Sequence, residues 1–254
     1  MKPKAKQVFY RILAIAFILL AWKLLAMNLH NKLVLPAPGK TLEDFIALLL
    51  SGSFYHALGF TLLRGLIGFV LAFLLAAALG IPAGLNRSFN AFLGPFIVIT
   101  RSTPVISFIL LALIWIGPEN VPVFIGLLTM FPLLCTSFIG GIQNTDRELT
   151  GMASVYKVGR ARVIRELYIP SLLPFLFNGM SNAIGFGWRA VIIGEVLSQP
   201  RWGMGTEMQV AQTYLLVSNV ICWTIVAVLT GYLFEWILRL AARHALKWKE
   251  AEAA

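Results

Sequence analysis

Charge is what this chain has least of. Asp, Glu, Lys and Arg supply 13% of its 254 residues, against about 25% in a soluble domain, and so small a stock cannot cover a water-exposed globular surface. Histidine occurs only as His30, His56 and His244, too scattered for a set of metal ligands. Cys135 and Cys222 both fall in apolar stretches, so no disulfide framework is implied and they read as small packing residues. Neither H-E-x-x-H nor G-x-S-x-G occurs, which removes the signatures of zinc-peptidase and serine-hydrolase chemistry. Gly39-Lys40-Thr41 looks like the end of a phosphate-binding loop, but Val34 stands where that loop needs its first glycine. Pro36 and Pro38 also remove amides that would cradle a phosphate. No catalytic residue, metal or cofactor is expected on this chain.

What is present is apolar. Hydrophobic residues make up 59% of the chain and its mean hydropathy is +0.81, the composition of an all-α polytopic membrane protein. A helix needs about 20 apolar residues to cross a bilayer, and six segments qualify, near 9–29, 58–85, 92–116, 121–142, 169–195 and 214–240. No small-residue cleavage site follows the first, so it is expected to be retained as a helix. With the amino terminus inside, fourteen Lys and Arg residues fall on the cytoplasmic side and three, Lys32, Lys40 and Arg201, outside. That asymmetry predicts both termini in the cytoplasm. It also accounts for the net charge of +10 without nucleic acid, because the basic residues are spread over several short loops instead of forming one patch.

One cytoplasmic segment, 143–168, interrupts the apolar pattern with Arg147, Lys157, Arg160, Arg162 and Arg165. Its charges could simply set topology. However, Leu149, Met152, Val155 and Tyr156, then Val163, Ile164, Leu167 and Tyr168, recur at helical spacing on either side of Gly159. The pattern predicts two short amphipathic helices meeting at a glycine corner, with an apolar face that fits a groove on a cytoplasmic partner.

Two stripes of small residues run along the spans: Gly68, Ala72, Ala76, Gly80 and Gly84 in the second, and Gly179, Ala183 and Gly187 in the fifth. Such stripes let helices approach closely, either within one subunit or across a two-fold interface lining a pathway. Four ionisable residues fall in or beside spans. Arg64 lies near enough to an outer end to snorkel. Arg101, about 14 Å into the third span, is too deep for that. Arg189 and Glu195 lie toward the outer end of the fifth. Such residues pair with one another or face a wet cavity, so Arg101 and Arg189 are either structural or the cationic wall of a path for an anion. A proton- or ion-coupled carrier is the rival class, but it would call for paired intramembrane acids, and Glu195 is the one candidate.

The segment 148–174 resembles the signature loop of permease subunits in bacterial ABC importers: Glu-Ala-Ala, three residues, Gly, nine residues, Ile, one residue, Leu-Pro. Anchored on Ile169-Pro170, Gly151, Met152 and Ala153 lie over the triplet, Lys157 over the glycine and Leu167 over the isoleucine. Ala153, Leu167 and Pro170 fit the pattern. Gly151 and Lys157 depart from it, and lysine lacks glycine's freedom at positive φ, so Gly159 is the expected corner. Residues 33–49, 61–85 and 185–205 are similar to the nitrate, sulfonate and taurine branch of these permeases. The resemblance implies a single type I importer permease domain over 1–254, with six spans, in the bacterial inner (cytoplasmic) membrane. It implies a dimer, expected to be a homodimer, working with two ATPase subunits that hold ATP and magnesium and with an extracytoplasmic solute-binding protein. The fifth-span stripe is the expected interface, and Arg101, Arg189 and Glu195 the expected pathway residues, for a small anionic solute such as nitrate, a sulfonate or taurine.

Overall fold

Helix boundaries fall where side chains close them. In the computed structural model, which describes residues 3–28 and 35–246, one residue divides the second and third apolar segments: Asn86 ends α3 (Gly52–Leu85) and caps α4 (Arg87–Ser102). Its Oδ1 accepts from the amide of Ser88 at 2.9 Å, supplying an acceptor that the first turn of a helix lacks. Asp146 does the same for α7 (Arg147–Val155), accepting from the Glu148 amide at 2.7 Å. Proline sets other edges, for it brings no N–H and disfavours helix in the residue before it. Pro38 opens α2 (Pro38–Leu49), which follows α1 (Pro3–Asn28). Pro104 breaks the expected third span into α4 and α5 (Val105–Ile116), with Thr103 extended at φ −74°, ψ 131° and the two helices bent by 95°.

The remaining elements are α6 (Val121–Gln143), α8 (Arg160–Val163), α9 (Ile169–Ser198), α10 (Met204–Thr213) and α11 (Val217–Ala245). No strand occurs among the described residues. α3, α6 and α11 are each long and apolar enough to cross a membrane, and α4 with α5 makes a fourth span if the bent pair is counted as one. The described apolar part of α1 is shorter. The 30 residues of α9 are long enough but are diluted by Asn178, Ser181, Asn182, Arg189 and Glu195. The charge count used for orientation includes Lys2, Lys32, Lys247 and Lys249, which lie outside the described residues.

The core is built around α6, which lies between α3 and α9. Both small-residue stripes face it. A Cβ added to Gly80 would meet the Cβ of Phe138 at 2.8 Å, and one on Gly84 the Cβ of Ile142 at 2.8 Å. On the other side, a Cβ on Gly179 would stand 2.5 Å from the Cβ of Ser137, and one on Gly187 2.1 Å from Cε of Met130. Ala72, Ala76 and Ala183 are completely buried along the same seams. Lipid tails are as apolar as leucine, so close packing is what separates helix contact from helix–lipid contact, and the glycines make that packing possible. The fifth-span stripe of Gly179, Ala183 and Gly187 is therefore occupied by α6 of the same subunit, which corrects its expected place at a two-fold interface.

A second cluster joins α3, α9, α10 and α11 through Phe54, Ala57, Trp188, Met204, Trp223 and Val226. Phe54 stacks on Trp223 at 5.5 Å, and Trp188 donates its indole N–H to the Ala227 carbonyl at 2.9 Å. α1 is tied on by the Trp22 indole, which donates to the Pro36 carbonyl at 3.1 Å.

Candidate functional site

The basic segment folds differently from two helices meeting at Gly159. α7 ends at Val155, and Lys157 takes the left-handed conformation at φ 52°. Its amide bonds to the Ser154 carbonyl at 3.1 Å and the next amide, of Val158, to the Ala153 carbonyl at 2.9 Å. This is the paired closure that usually places glycine at the left-handed position. Gly159 has φ −61°, open to any residue, and caps α8. The corner is thus at Lys157, where the signature pattern has its glycine. Nor is the second helix separate. α8 runs through a π turn (Ile164–Tyr168) into α9. Pro170 offers no amide to the carbonyl four residues before it, and the Ile169 amide bonds to the Ile164 carbonyl instead.

The two limbs enclose a groove of about 370 Å³ lined by Met152, Ala153 and Tyr156 on one side and Val163 and Leu167 on the other. Val155 is 79% and Tyr156 75% exposed, so the apolar face lacks cover among the described residues. Gly151, Arg160 and Arg165 are exposed around it, and Arg162 pairs with Glu166 at 2.9 Å.

The ionisable residues divide into two groups. Arg64 does not snorkel: its side chain is 7% exposed and lies 2.9 Å from Glu195, which is wholly buried. The same Glu195 carboxylate accepts from the Thr61 hydroxyl at 2.8 Å and the Gly205 amide at 3.0 Å. Arg64 reaches Glu119 at 2.7 Å and also donates to the Trp202 carbonyl, while Glu119 accepts from the Arg201 amide at 2.6 Å. One arginine thereby ties α3, α9, the turn before α6 and the turn before α10. Glu195 has a fixed structural partner and is not a free acid on a pathway.

Among the described residues, Arg101 and Arg189 have no acid partner. Arg101, in the last turn of α4, lines a cavity of about 260 Å³ at the break before α5, together with Thr100, Thr103, Thr129 and Phe186. The Arg189 guanidinium lies 5.7 Å from the centre of the Phe186 ring. It opens onto a groove between α9 and α11 whose acid, Glu235, pairs with Arg239 at 2.6 Å. Both arginines named from the sequence thus lie near Phe186, on an exposed face of α9: Arg101 shares a cavity lining with it and Arg189 lies against its ring.

Residues 68–247 match the family of binding-protein-dependent transport system inner membrane components. The chain belongs to that family. This inner membrane component is 25% identical over 253 residues to the taurine transport system permease protein TauC of Escherichia coli, covering 97% of this chain and 92% of that one. It is 26% identical over 239 residues to SsuC of Bacillus subtilis, a permease protein named for aliphatic sulfonates transport, with 93% and 86% covered. Similarity to the bicarbonate transport system permease protein CmpB of Synechococcus elongatus is 27% over 199 residues, with 74% and 70% covered. The expected kinship and the all-helical multi-pass fold both hold, and the chain is an ABC-importer permease subunit. Sequence reasoning missed Thr61, Glu119 and Gly205: Thr61 lies 134 residues from Glu195 and Glu119 55 residues from Arg64, and nothing local marks such partners. It also missed Thr129 and Phe186. The Pro104 break was legible in principle from the X-Pro rule.

Proposed function

We propose that this permease passes a small anionic solute, delivered outside by a solute-binding protein, through a dimer of two copies driven by two cytoplasmic ATPase subunits that carry the ATP and magnesium. Both termini face the cytoplasm in this reading. The observation that carries it is the exposed apolar groove on 143–168, with Arg162 in its lining and Arg160 and Arg165 exposed on the same segment. A membrane subunit without a phosphate-binding loop must receive its energy by contact, and short amphipathic helices with an exposed apolar face fit a groove on a partner. Arginines at the rim orient such a contact more than they strengthen it. The anionic class is supported by Arg101 and Arg189 and by relatives named for taurine, sulfonates and bicarbonate. A proton-coupled carrier is disfavoured, because Glu195, the acid it was expected to use, is held by Arg64, Thr61 and Gly205.

The test is co-purification of the ATPase subunit with the permease, together with solute-stimulated ATP hydrolysis in vesicles. Truncating a central aromatic anchor costs on the order of 2 kcal/mol of binding, so Tyr156→Ala should loosen the ATPase while the binding protein still docks outside. Arg160→Glu with Arg162→Glu should do the same. Full recruitment and full stimulation in both variants would reduce the segment to a topological signal.

A further inference from the structure

We propose that the break between α4 and α5 is a solute-contact site for a small organic oxyanion, a sulfonate or carboxylate with a short aliphatic body, whose charged head is held by Arg101 and Thr129. This deepens the anion reading above and rests on it.

Three observations carry the site. First, Arg101, an exposed residue, lines a half-open space of about 260 Å³ that contains no acidic side chain, and among the described residues it makes no ion pair and no side-chain hydrogen bond. An unpaired cation in a membrane protein is costly unless it faces water or a wet cavity, and the half-open space beside Arg101 is such a place. The volume falls just below the roughly 300–1,000 Å³ of sites for drug-sized ligands, which suits a small solute.

Second, the hydroxyls can be sorted by where their protons go. Thr100 donates to the Phe96 carbonyl at 2.8 Å and Thr103 to the Ile99 carbonyl at 2.8 Å. Both are spent on α4. Thr129, on α6, has no such bond among the described residues, so its O–H and the planar fork of Arg101 are the donors left for an oxyanion. A guanidinium matches two oxygens of such a group at once.

Third, the rest of the lining is apolar, including Val105, Phe108 and Ile125, and Phe186 closes one side. An inorganic anion such as nitrate has nothing to place against that wall, whereas a short alkyl chain does. A second cation, Arg189, lies 5.7 Å from the centre of the same Phe186 ring.

The experiment uses the permease–ATPase complex in vesicles, with Cys135 and Cys222 replaced by Ala and a reporter thiol introduced as Thr103→Cys. Two methanethiosulfonate reagents of similar size, one bearing a sulfonate and one a trimethylammonium group, measure the sign of the field in the cavity. The sulfonate reagent should react faster, and Arg101→Gln should cut the preference on the order of tenfold. Arg101→Lys should keep it, and Thr129→Val should weaken protection without reversing the preference. Millimolar 1-propanesulfonate should slow the labelling more than nitrate or 1-propylammonium does. An Arg101→Gln preference equal to the parent's, or equal protection by propanesulfonate and propylammonium, overturns the proposal. So does protection that appears only in bilayers containing phosphatidylglycerol and never with propanesulfonate, which would mark a lipid headgroup site. Failure of the importer reading is read separately, as failure of the ATPase to co-purify with the parent protein before any reagent is added.

Discussion

Removing Arg64 is expected to damage this protein more than removing the carboxylate it faces, and removing both is expected to damage it less than removing Arg64 alone. Glu195 is fully buried, and among the described residues its one ion-pair partner is Arg64 at 2.9 Å; the Thr61 hydroxyl and Gly205 amide stabilise it but carry no charge. Arg64→Met leaves a buried carboxylate without a counter-charge, a change that costs about 3–5 kcal/mol when one partner of a buried pair is deleted. At about 2–4 °C per kcal/mol for a chain of this size, the midpoint of thermal unfolding should fall by roughly 6–20 °C. Glu195→Gln is milder. Its carbonyl still accepts from Thr61 and Gly205, and Arg64 keeps Glu119 at 2.7 Å and the Trp202 carbonyl. Adding Glu195→Gln to Arg64→Met removes the stranded charge and should recover more than half of the loss. The assay is thermal unfolding of the permease in lipid nanodiscs, followed by tryptophan emission, for both single variants and the double. If the double variant is less stable than Arg64→Met, or if Arg64→Met lowers the midpoint by under 2 °C, the ion pair does not hold this end of the molecule together.

Lys157 sits at φ 52° in a position that favours glycine. Lys157→Gly should therefore relieve about 1 kcal/mol of strain and raise the unfolding midpoint, while Lys157→Val should lower it. Gly179→Ala brings a methyl 2.5 Å from the Cβ of Ser137, and overpacking of this kind costs about 1–3 kcal/mol. Ser137→Gly in the same chain should restore the yield of folded protein, whereas Gly187→Ala should be tolerated better because the flexible Met130 thioether can swing aside. Arg201→Cys should react with a membrane-impermeant maleimide in intact cells and Lys157→Cys only after permeabilisation; the reverse pattern would invert the proposed orientation.

The apolar segments were legible because length and hydropathy are local properties, and each expected span overlaps a helix. The stripes were legible as contact surfaces but not as to partner: spacing every four residues describes one face of a helix and says nothing of what lies against it. Only the structure shows that Gly80 meets Phe138 and Gly179 meets Ser137. Arg64 was misread for a similar reason. Distance from a span end allows snorkelling, but Glu195 lies 131 residues away in sequence and becomes a neighbour only through the fold. At the corner of the basic segment, propensity favoured Gly159, yet the hydrogen bonds from Lys157 and Val158 back to Ser154 and Ala153 close α7 two residues earlier. A local preference was overridden by the cost of leaving helix carbonyls without partners.

The basic segment is fastened at both ends to neighbours in a single seam. Three residues, Asn144 to Asp146, separate α7 from α6, and α8 continues without a loop into α9. α6 and α9 are themselves held by the close approach of Gly179 to Ser137, a contact with almost no slack to take up. A torque applied at α7 therefore has no hinge between these two helices to dissipate it, and it turns the pair as one lever. What opens and closes must lie on the outer faces of that lever, where the exposed side of α9 carries Phe186 and Arg189.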